Sequence, residues 1–363
     1  MGKKKVLQTL FSGLGGHSSV AFSLLESSFG ERFDNYLLFY GIEEMSDATK
    51  SRAEKSGARS AVIIKKPKRY LLPLLKFYKL LKAENPDAVI IHDSELIFPA
   101  ALYKNSRPGK KVIFVEHQAN QKKSRLQWLM SDFALKRADA VVCLNESYKN
   151  ELLEKFSGRR SAEKIRVIPN GINTEKFNGA QRNGRCRFIG MASRLNDTKD
   201  HQTLIKAFSL LVRDFPNLKL KLAGSGEMEN KIRELVRQHG IEDKVELLGL
   251  LDEDQMVAFL NGLDLYVHAT LAETLSTSIL QAMACALPVI TSDINNNRLL
   301  IDDGRTGYLY KNSDAGDLYR KMKYAAIENY TEAVALGAAA RKKVVENFSH
   351  QTMGEKYLEL IEP

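Results

Sequence analysis

At 363 residues, with 44% hydrophobic and 27% charged residues and a formal net charge of +10, the chain has the composition of a folded protein of about two domains. No apolar run reaches bilayer-spanning length and no charged, apolar and small leader opens the sequence, so a cytoplasmic protein is expected rather than a transmembrane or secreted one. Three widely spaced cysteines, Cys143, Cys186 and Cys285, read as buried reduced thiols, not as a disulfide framework or a zinc site.

The first element, "KVLQTLF", is a short buried strand that runs into "FSGLGGHSSVAF". Gly13, Gly15 and Gly16 permit a tight turn and close backbone approach, and a helix from about His17 would offer free N–H groups to an anion. The strict dinucleotide fingerprint needs a third glycine at position 18, where Ser18 stands. Such a turn also packs a strand tightly on a helix with no ligand, and both readings stand here. "NYLLFY", "AVIIK", "AVIIHD", "KVIFVEH" and "ADAVVCLN" follow as further strands. Helical stretches such as "SSVAFSLLESS", "LQWLMSDFALKR" and "SYKNELLEKF" lie between them, so a parallel sheet covered on both faces is expected.

Within this half, "KKPKRYLLPLLKFYKLLK", Lys65 to Lys82, interleaves seven cations with leucines and aromatics. It reads either as an amphipathic helix laid on the sheet or as a surface that docks on an anionic membrane. Residues 1–175 carry 30 Lys+Arg against 19 Asp+Glu, a balance of +11, so all the excess positive charge lies in this half. An anionic membrane surface is therefore a candidate partner. Nucleic acid is not, because no RNA-binding motif accompanies the charge.

"KIRVIPNGINTEKF" breaks the alternation, and the polar "NGAQRNGR" reads as an interdomain linker. Alternation then resumes with "CRFIGMAS", "LKLKLAG", "KVELLG", "DLYVHA" and "PVITS", and beyond Thr306 the chain is mostly helical. Ligands of such sheets bind at the carboxyl ends of the strands. Arg194 and Lys199 follow the first strand of this half, where an Arg fork and a Lys point charge suit phosphate oxygens. Being alike in charge, they are expected to add nothing to stability without ligand. A helix over 277–286, beginning near Ser276, would add N–H donors and partial positive charge. Glu273 before it suits sugar hydroxyls, and Gln281 two turns on can reach further hydroxyls. The acids at Asp252–Asp254 sit where a helix begins and read as capping residues, not metal ligands.

"VIPNGINTEKF", "SRLNDTKDHQTLIKAF", "LAGSGE", "VELLG" and "ETLSTSILQAMACALPVITSD" resemble, in order and spacing, the second domain of the retaining GT-B glycosyltransferases of group 1, family four. That large family includes sucrose-phosphate and phosphatidylinositol mannosyl transferases. "GLGG", His117 after a strand and "ADAVVCLNES" extend the resemblance into the first half. It implies an α/β GT-B fold of two tandem Rossmann-like domains: 1–175 for the acceptor, 176–348 for the nucleotide-sugar, and a helix over 349–363 that returns to the first domain. It further implies that Glu273 contacts the donor sugar and that Arg194 and Lys199 hold the diphosphate, cradled by the backbone of Leu275, Ser276 and Thr277. Gly249 would lie by the base, Gly15 and Gly16 would meet the donor from the first domain, and His117 would lie near the reacting sugar.

The family's hallmark is two glutamates separated by seven residues. Gln281 occupies the second position here, in place of the carboxylate on the nucleotide ribose. The implied activity is retaining, metal-independent transfer from a nucleotide-sugar, UDP-sugar favoured, to a glycan or lipid-linked acceptor, with no cofactor. A catalytically silent nucleotide-sugar binder is the alternative that Gln281 leaves open. A nicotinamide dehydrogenase leaves Arg194, Lys199 and Glu273 idle.

Overall fold

The computed structural model describes residues 2–12, 16–45, 47–66, 71–117, 120, 123–156, 162–179, 182 and 184–362. The chain divides into two units: residues up to Gly171 together with those from His350 onward, and Ile172–Ser349.

In the first unit the β-branched runs form a parallel sheet of β1 (Lys5–Phe11), β2 (Asp34–Gly41), β3 (Arg59–Ile64), β4 (Ala88–Ile91), β5 (Lys111–Glu116), β6 (Ala140–Cys143) and β7 (Ile165–Val167), in the order β3-β2-β1-β4-β5-β6-β7. Its helices are α1 (Gly16–Leu25), α2 (Ser28–Arg32), α3 (Asp47–Lys55), α4 (Leu71–Glu84), α5 (Ile97–Ser106), α6 (Arg125–Arg137) and α7 (Glu146–Lys155). Strand alternation sends Leu7, Val89, Ile91, Val112 and Phe114 into one core with Phe77 of α4, Tyr103 of α5, Leu135 of α6 and Leu152 of α7. Leu10, Leu37 and Phe39 pack on the other face against α1 and α3. Because the chain builds outward from β1 in one direction and then resumes at β4 in the other, the strand order reverses between β1 and β4.

The second unit repeats the plan with β8 (Phe188–Ala192), β9 (Lys219–Ala223), β10 (Val245–Gly249), β11 (Leu265–His268), β12 (Val289–Ser292) and β13 (Tyr308–Tyr310), in the order β10-β9-β8-β11-β12-β13. Its helices are α8 (His201–Asp214), α9 (Glu229–Gln238), α10 (Glu253–Asn261), α11 (Thr277–Ala284), α12 (Ala315–Lys323) and α13 (Tyr330–Asn347). Here the order reverses between β8 and β11. α14 (His350–Ile361) belongs to the first unit, where Tyr357 meets Phe29 edge-on at 6.3 Å and a Cβ on Gly354 would overlap Ser27.

The described strands match the sequence reading except for β7 and β13, each three residues long and at a sheet edge. Too short to show periodicity, they are carried by pairing with β6 and β12. The stretch read as a linker is not one at Arg182. Its guanidinium donates to the carbonyls of Leu263 (3.1 Å), Cys285 (2.7 Å) and Leu260 (3.2 Å), all in the second unit. The three cysteines are free and buried.

Candidate active site

The reversal between β8 and β11 places two loops side by side, because strands with neighbouring carboxyl ends lead their chains away in opposite directions. One loop, Ser193–Asp200, carries Arg194 and Lys199; the other, Ala269–Ser276, carries Glu273. They are stitched together by Asp200 N–H to the Ala269 carbonyl (3.0 Å) and Leu271 N–H to the Thr198 carbonyl (2.8 Å). The Arg194 loop is also clamped from β9: Leu195 N–H donates to the Ser225 carbonyl at 2.9 Å. Gly224 (φ +135°) and Gly226 (φ +156°) lie so close that a Cβ would overlap the carbonyl oxygens of Ser193 and Leu195.

Lys199 and Glu273 meet in an ion pair whose side chains are only 12% and 13% exposed. The same Oε1 of Glu273 receives His268 Nε2 at 2.8 Å, and Asn296 donates to the Glu273 carbonyl at 2.5 Å. Since a carboxylate only accepts, His268 carries its proton on Nε2, and its Nδ1 faces Tyr266 Oη 3.2 Å away, whose own proton goes to the Ala192 carbonyl at 3.1 Å. Burial pushes the Glu273 carboxyl up, but the Lys199 charge and then the His268 hydrogen bond reverse this and bring it down to about 2. Burial depresses His268, keeping the ring neutral.

His201, also buried, joins both sides of the Arg194 loop. Its Nδ1–H donates to the Lys199 carbonyl and its Nε2 accepts from Ser193 Oγ, each at 3.2 Å. Burial first, partly opposed by the Lys199 carbonyl bond, brings its pKa down to about 4. Both shifts weaken the fold in acid. His201 titrates below the ordinary 6.5, so the unfolded chain takes that proton first and stability falls from pH 6.5 to about 4. Glu273 titrates below the ordinary 4.5, so its contribution is complete above 4.5 and lost toward pH 2. Each is worth on the order of 3 kcal/mol. Thermal melts are expected to decline progressively below pH 6.5, and in His201→Gln the decline between pH 6.5 and 4.5 is expected to be shallower, what remains there coming from His268, which burial also depresses.

Ser276 caps α11, its Oγ accepting from Ile279 N–H at 3.4 Å, so the helix begins where expected and ends at Ala284, two residues early. Leu275 is buried, Ser276 is buried and Thr277 opens the first turn. Gln281 is not a helix-surface residue: it is 8% exposed, on a helix whose neighbouring side chains are all in the core. Among the described residues its amide has no hydrogen-bond partner. Gly249 (φ +68°) ends β10, its carbonyl accepting from Gly224 N–H at 2.7 Å. Arg194 is exposed in the loop it shares with Lys199. Asp252 caps α10 reciprocally with Gln255, while Glu253 and Asp254 pair with Lys176 at 2.5 and 3.0 Å, which accounts for all three acids.

The first unit has its own reversal, between β1 and β4. Gly16 opens α1 there, and Gly15 lies outside the described residues. His117, just past β5, is buried and meets His92, past β4, edge to edge, with Nε2 and Nδ1 2.5 Å apart, so one proton lies between the rings. The adjoining Asp93 was missed in the sequence. Its Oδ2 is buried without a partner among the described residues, and burial raises the carboxyl to about 7. An acid directly after the strand at a topological reversal is the signal that would have found it.

Two family models match: "Glycosyl transferases group 1" over residues 173–343 and "Glycosyltransferase Family 4" over residues 36–176. A poly(ribitol-phosphate) alpha-N-acetylglucosaminyltransferase of Staphylococcus aureus is 26% identical over 313 residues, covering 84% of this chain and 61% of that protein. The GtfA subunit of a UDP-N-acetylglucosamine–peptide N-acetylglucosaminyltransferase of Streptococcus gordonii is 26% identical over 295 residues, 78% of this chain and 56% of its own. The chain thus spans about three-fifths of the length of these relatives. Among solved structures, Anabaena HepE in complex with UDP and glucose superposes with a TM-score of 0.83 at 17% identity, covering 99% of both chains. With two α/β units of reversed parallel order and both family models matched, one on each half, the chain belongs to the group 1 and family 4 glycosyltransferases and has the GT-B fold.

Proposed function

We propose that the protein transfers a sugar from a nucleotide-sugar donor, a UDP-sugar foremost, to a glycan or lipid-linked acceptor, with retention and without a metal, in cell-surface polysaccharide or glycolipid synthesis. One observation carries the reading: the β8–β11 reversal gathers Lys199, Glu273 and the capped start of α11 at one place. A nucleoside diphosphate would lie between Arg194, Lys199 and the α11 N-terminus, whose donors stabilise the charge it gains on leaving. The new glycosidic bond forms on the face from which the C1–phosphate bond breaks, and the departing phosphate oxygen takes the acceptor's hydroxyl proton. Glu273 accepts from donor-sugar hydroxyls, and the first unit, with His117 and Asp93 at its own strand-order reversal, takes the acceptor. The UDP and glucose in the Anabaena structure and the alpha-N-acetylglucosaminyl transfer of the Staphylococcus relative support a UDP-sugar and an α-linked product.

Gln281 tests the donor half. An amide serves two ribose hydroxyls, accepting with one end and donating with the other, where a carboxylate would only accept. Gln281 is 8% exposed, and its amide, without a hydrogen-bond partner among the described residues, is free to meet a ligand. Gln281→Glu is expected to change donor KM by about tenfold at most, since the net difference is on the order of 1 kcal/mol. Gln281→Ala is expected to raise donor KM clearly. Steady-state kinetics with UDP-sugars decide it: an alanine variant with wild-type KM and turnover removes Gln281 from the ribose and brings the silent binder forward.

A further inference from the structure

The layer formed by α4, α5 and α6 covers one face of the first unit's sheet, and its outward side is not polar. Leu71 and Leu75 of α4 are 76% and 56% exposed, Leu102 of α5 is 57% exposed, and Leu126 and Leu129 of α6 are 59% and 63% exposed. Scattered exposed leucines need no explanation, but these stand on consecutive, mutually packed helices. Phe98 of α5 and Phe133 of α6, with ring centroids 4.9 Å apart, join the last two. All five leucines lie in the first two turns of their helices. A helix that follows a strand starts at the sheet's carboxyl edge, so this apolar band borders the edge that holds His92, Asp93 and His117.

Charge completes the pattern. Lys66, Lys76, Lys79, Lys82 and Arg125 are exposed around the band, and among the described residues none has an acidic partner. Of the nearby acids, Glu84 is matched by Lys5 at 3.0 Å and Arg59 at 3.1 Å, Glu95 by Lys65 at 2.5 Å, and Asp132 by Lys136 at 2.5 Å, while Asp93 Oδ2 is buried. No helix among the described residues is long and apolar enough to cross a membrane. We infer that this face lies on an anionic lipid surface, the leucines entering the boundary between headgroups and acyl chains while the cations meet headgroup phosphates. A second copy of the chain fits less well, because two such faces would set basic rims against each other.

The test is co-sedimentation of the full chain with vesicles of phosphatidylcholine alone and of phosphatidylcholine with phosphatidylglycerol. Binding is expected only to the anionic vesicles. It is expected to weaken between about 0.1 M and about 1 M salt, as the Debye length falls from about 10 Å to about 3 Å. Lys76→Gln, Lys79→Gln and Lys82→Gln combined are expected to weaken it about a hundredfold, roughly fivefold per cation. Leu71→Ser with Leu75→Ser is expected to weaken it at least about tenfold with an unchanged melting temperature, since both side chains are exposed. No binding, equal binding to both vesicles, or binding indifferent to the leucine pair would overturn the inference. So would self-association without lipid that the leucine pair abolishes, which would assign the face to a second copy. The assay uses no donor, so its failure leaves the transferase reading standing.

Discussion

Lys199→Ala is expected to lower turnover by about 10²–10³-fold and also to lower the melting temperature with no ligand present. The first effect is the usual loss when one preorganised donor to a developing anion is removed. The second arises because Lys199 does not simply repel Arg194, as like charges in one loop would suggest, but neutralises a buried carboxylate. Without it Glu273 keeps the His268 hydrogen bond but loses the cation of its buried pair, and removing one partner of such a pair costs roughly 3–5 kcal/mol. Arg194→Ala separates the two effects: the side chain is exposed, so turnover is expected to fall similarly while the melt stays put. Initial rates and thermal melts on both variants check this. Near-normal turnover in both removes the diphosphate assignment, and an unchanged melt in Lys199→Ala rejects the stabilising pair.

Gly224→Ala is expected to destabilise the protein by about 2–4 kcal/mol, combining a left-handed backbone position with a Cβ driven into the Ser193 carbonyl. Relief requires the Arg194 loop to move. A misplacement near 1 Å at a binding group costs up to about 10²-fold, so donor KM is expected to rise by one to two orders of magnitude. Gly240→Ala is the control: φ is +62° there, but nothing lies within 4 Å of the added carbon. It is expected to cost about 1 kcal/mol and leave KM alone. Equal KM effects in the two variants would mean that the clamp does not set the loop.

The long β-branched strands were legible because periodicity is local. So were Arg194, Lys199 and Glu273, since their distance from strand ends is countable along the chain. His268 and His201 were not. Each is a lone histidine with no ligand or catalytic spacing around it, and only the packing of β11 against β8 shows one holding Glu273 and the other holding Lys199's loop. Arg182 read as solvent-facing from its polar neighbours, because its three carbonyl partners come from segments about 80 and 100 residues away. The burial of Gln281 was hidden for the same reason: which side of α11 faces the core depends on where the neighbouring elements pack.

The order in which the chain is made gives the last helix a further meaning. α14 completes the first unit, yet the whole of the second unit, Ile172–Ser349, lies between it and the rest of that unit in the chain. On the ribosome, at about 5–20 residues per second, those 178 residues take roughly 10–40 s. During that interval Phe29 and Ser27 wait without the helix that will cover them, and Gly171 N–H waits for its Met353 sulfur acceptor. The second unit, one uninterrupted stretch, is free to fold first. The unit synthesised first is therefore the one that finishes last.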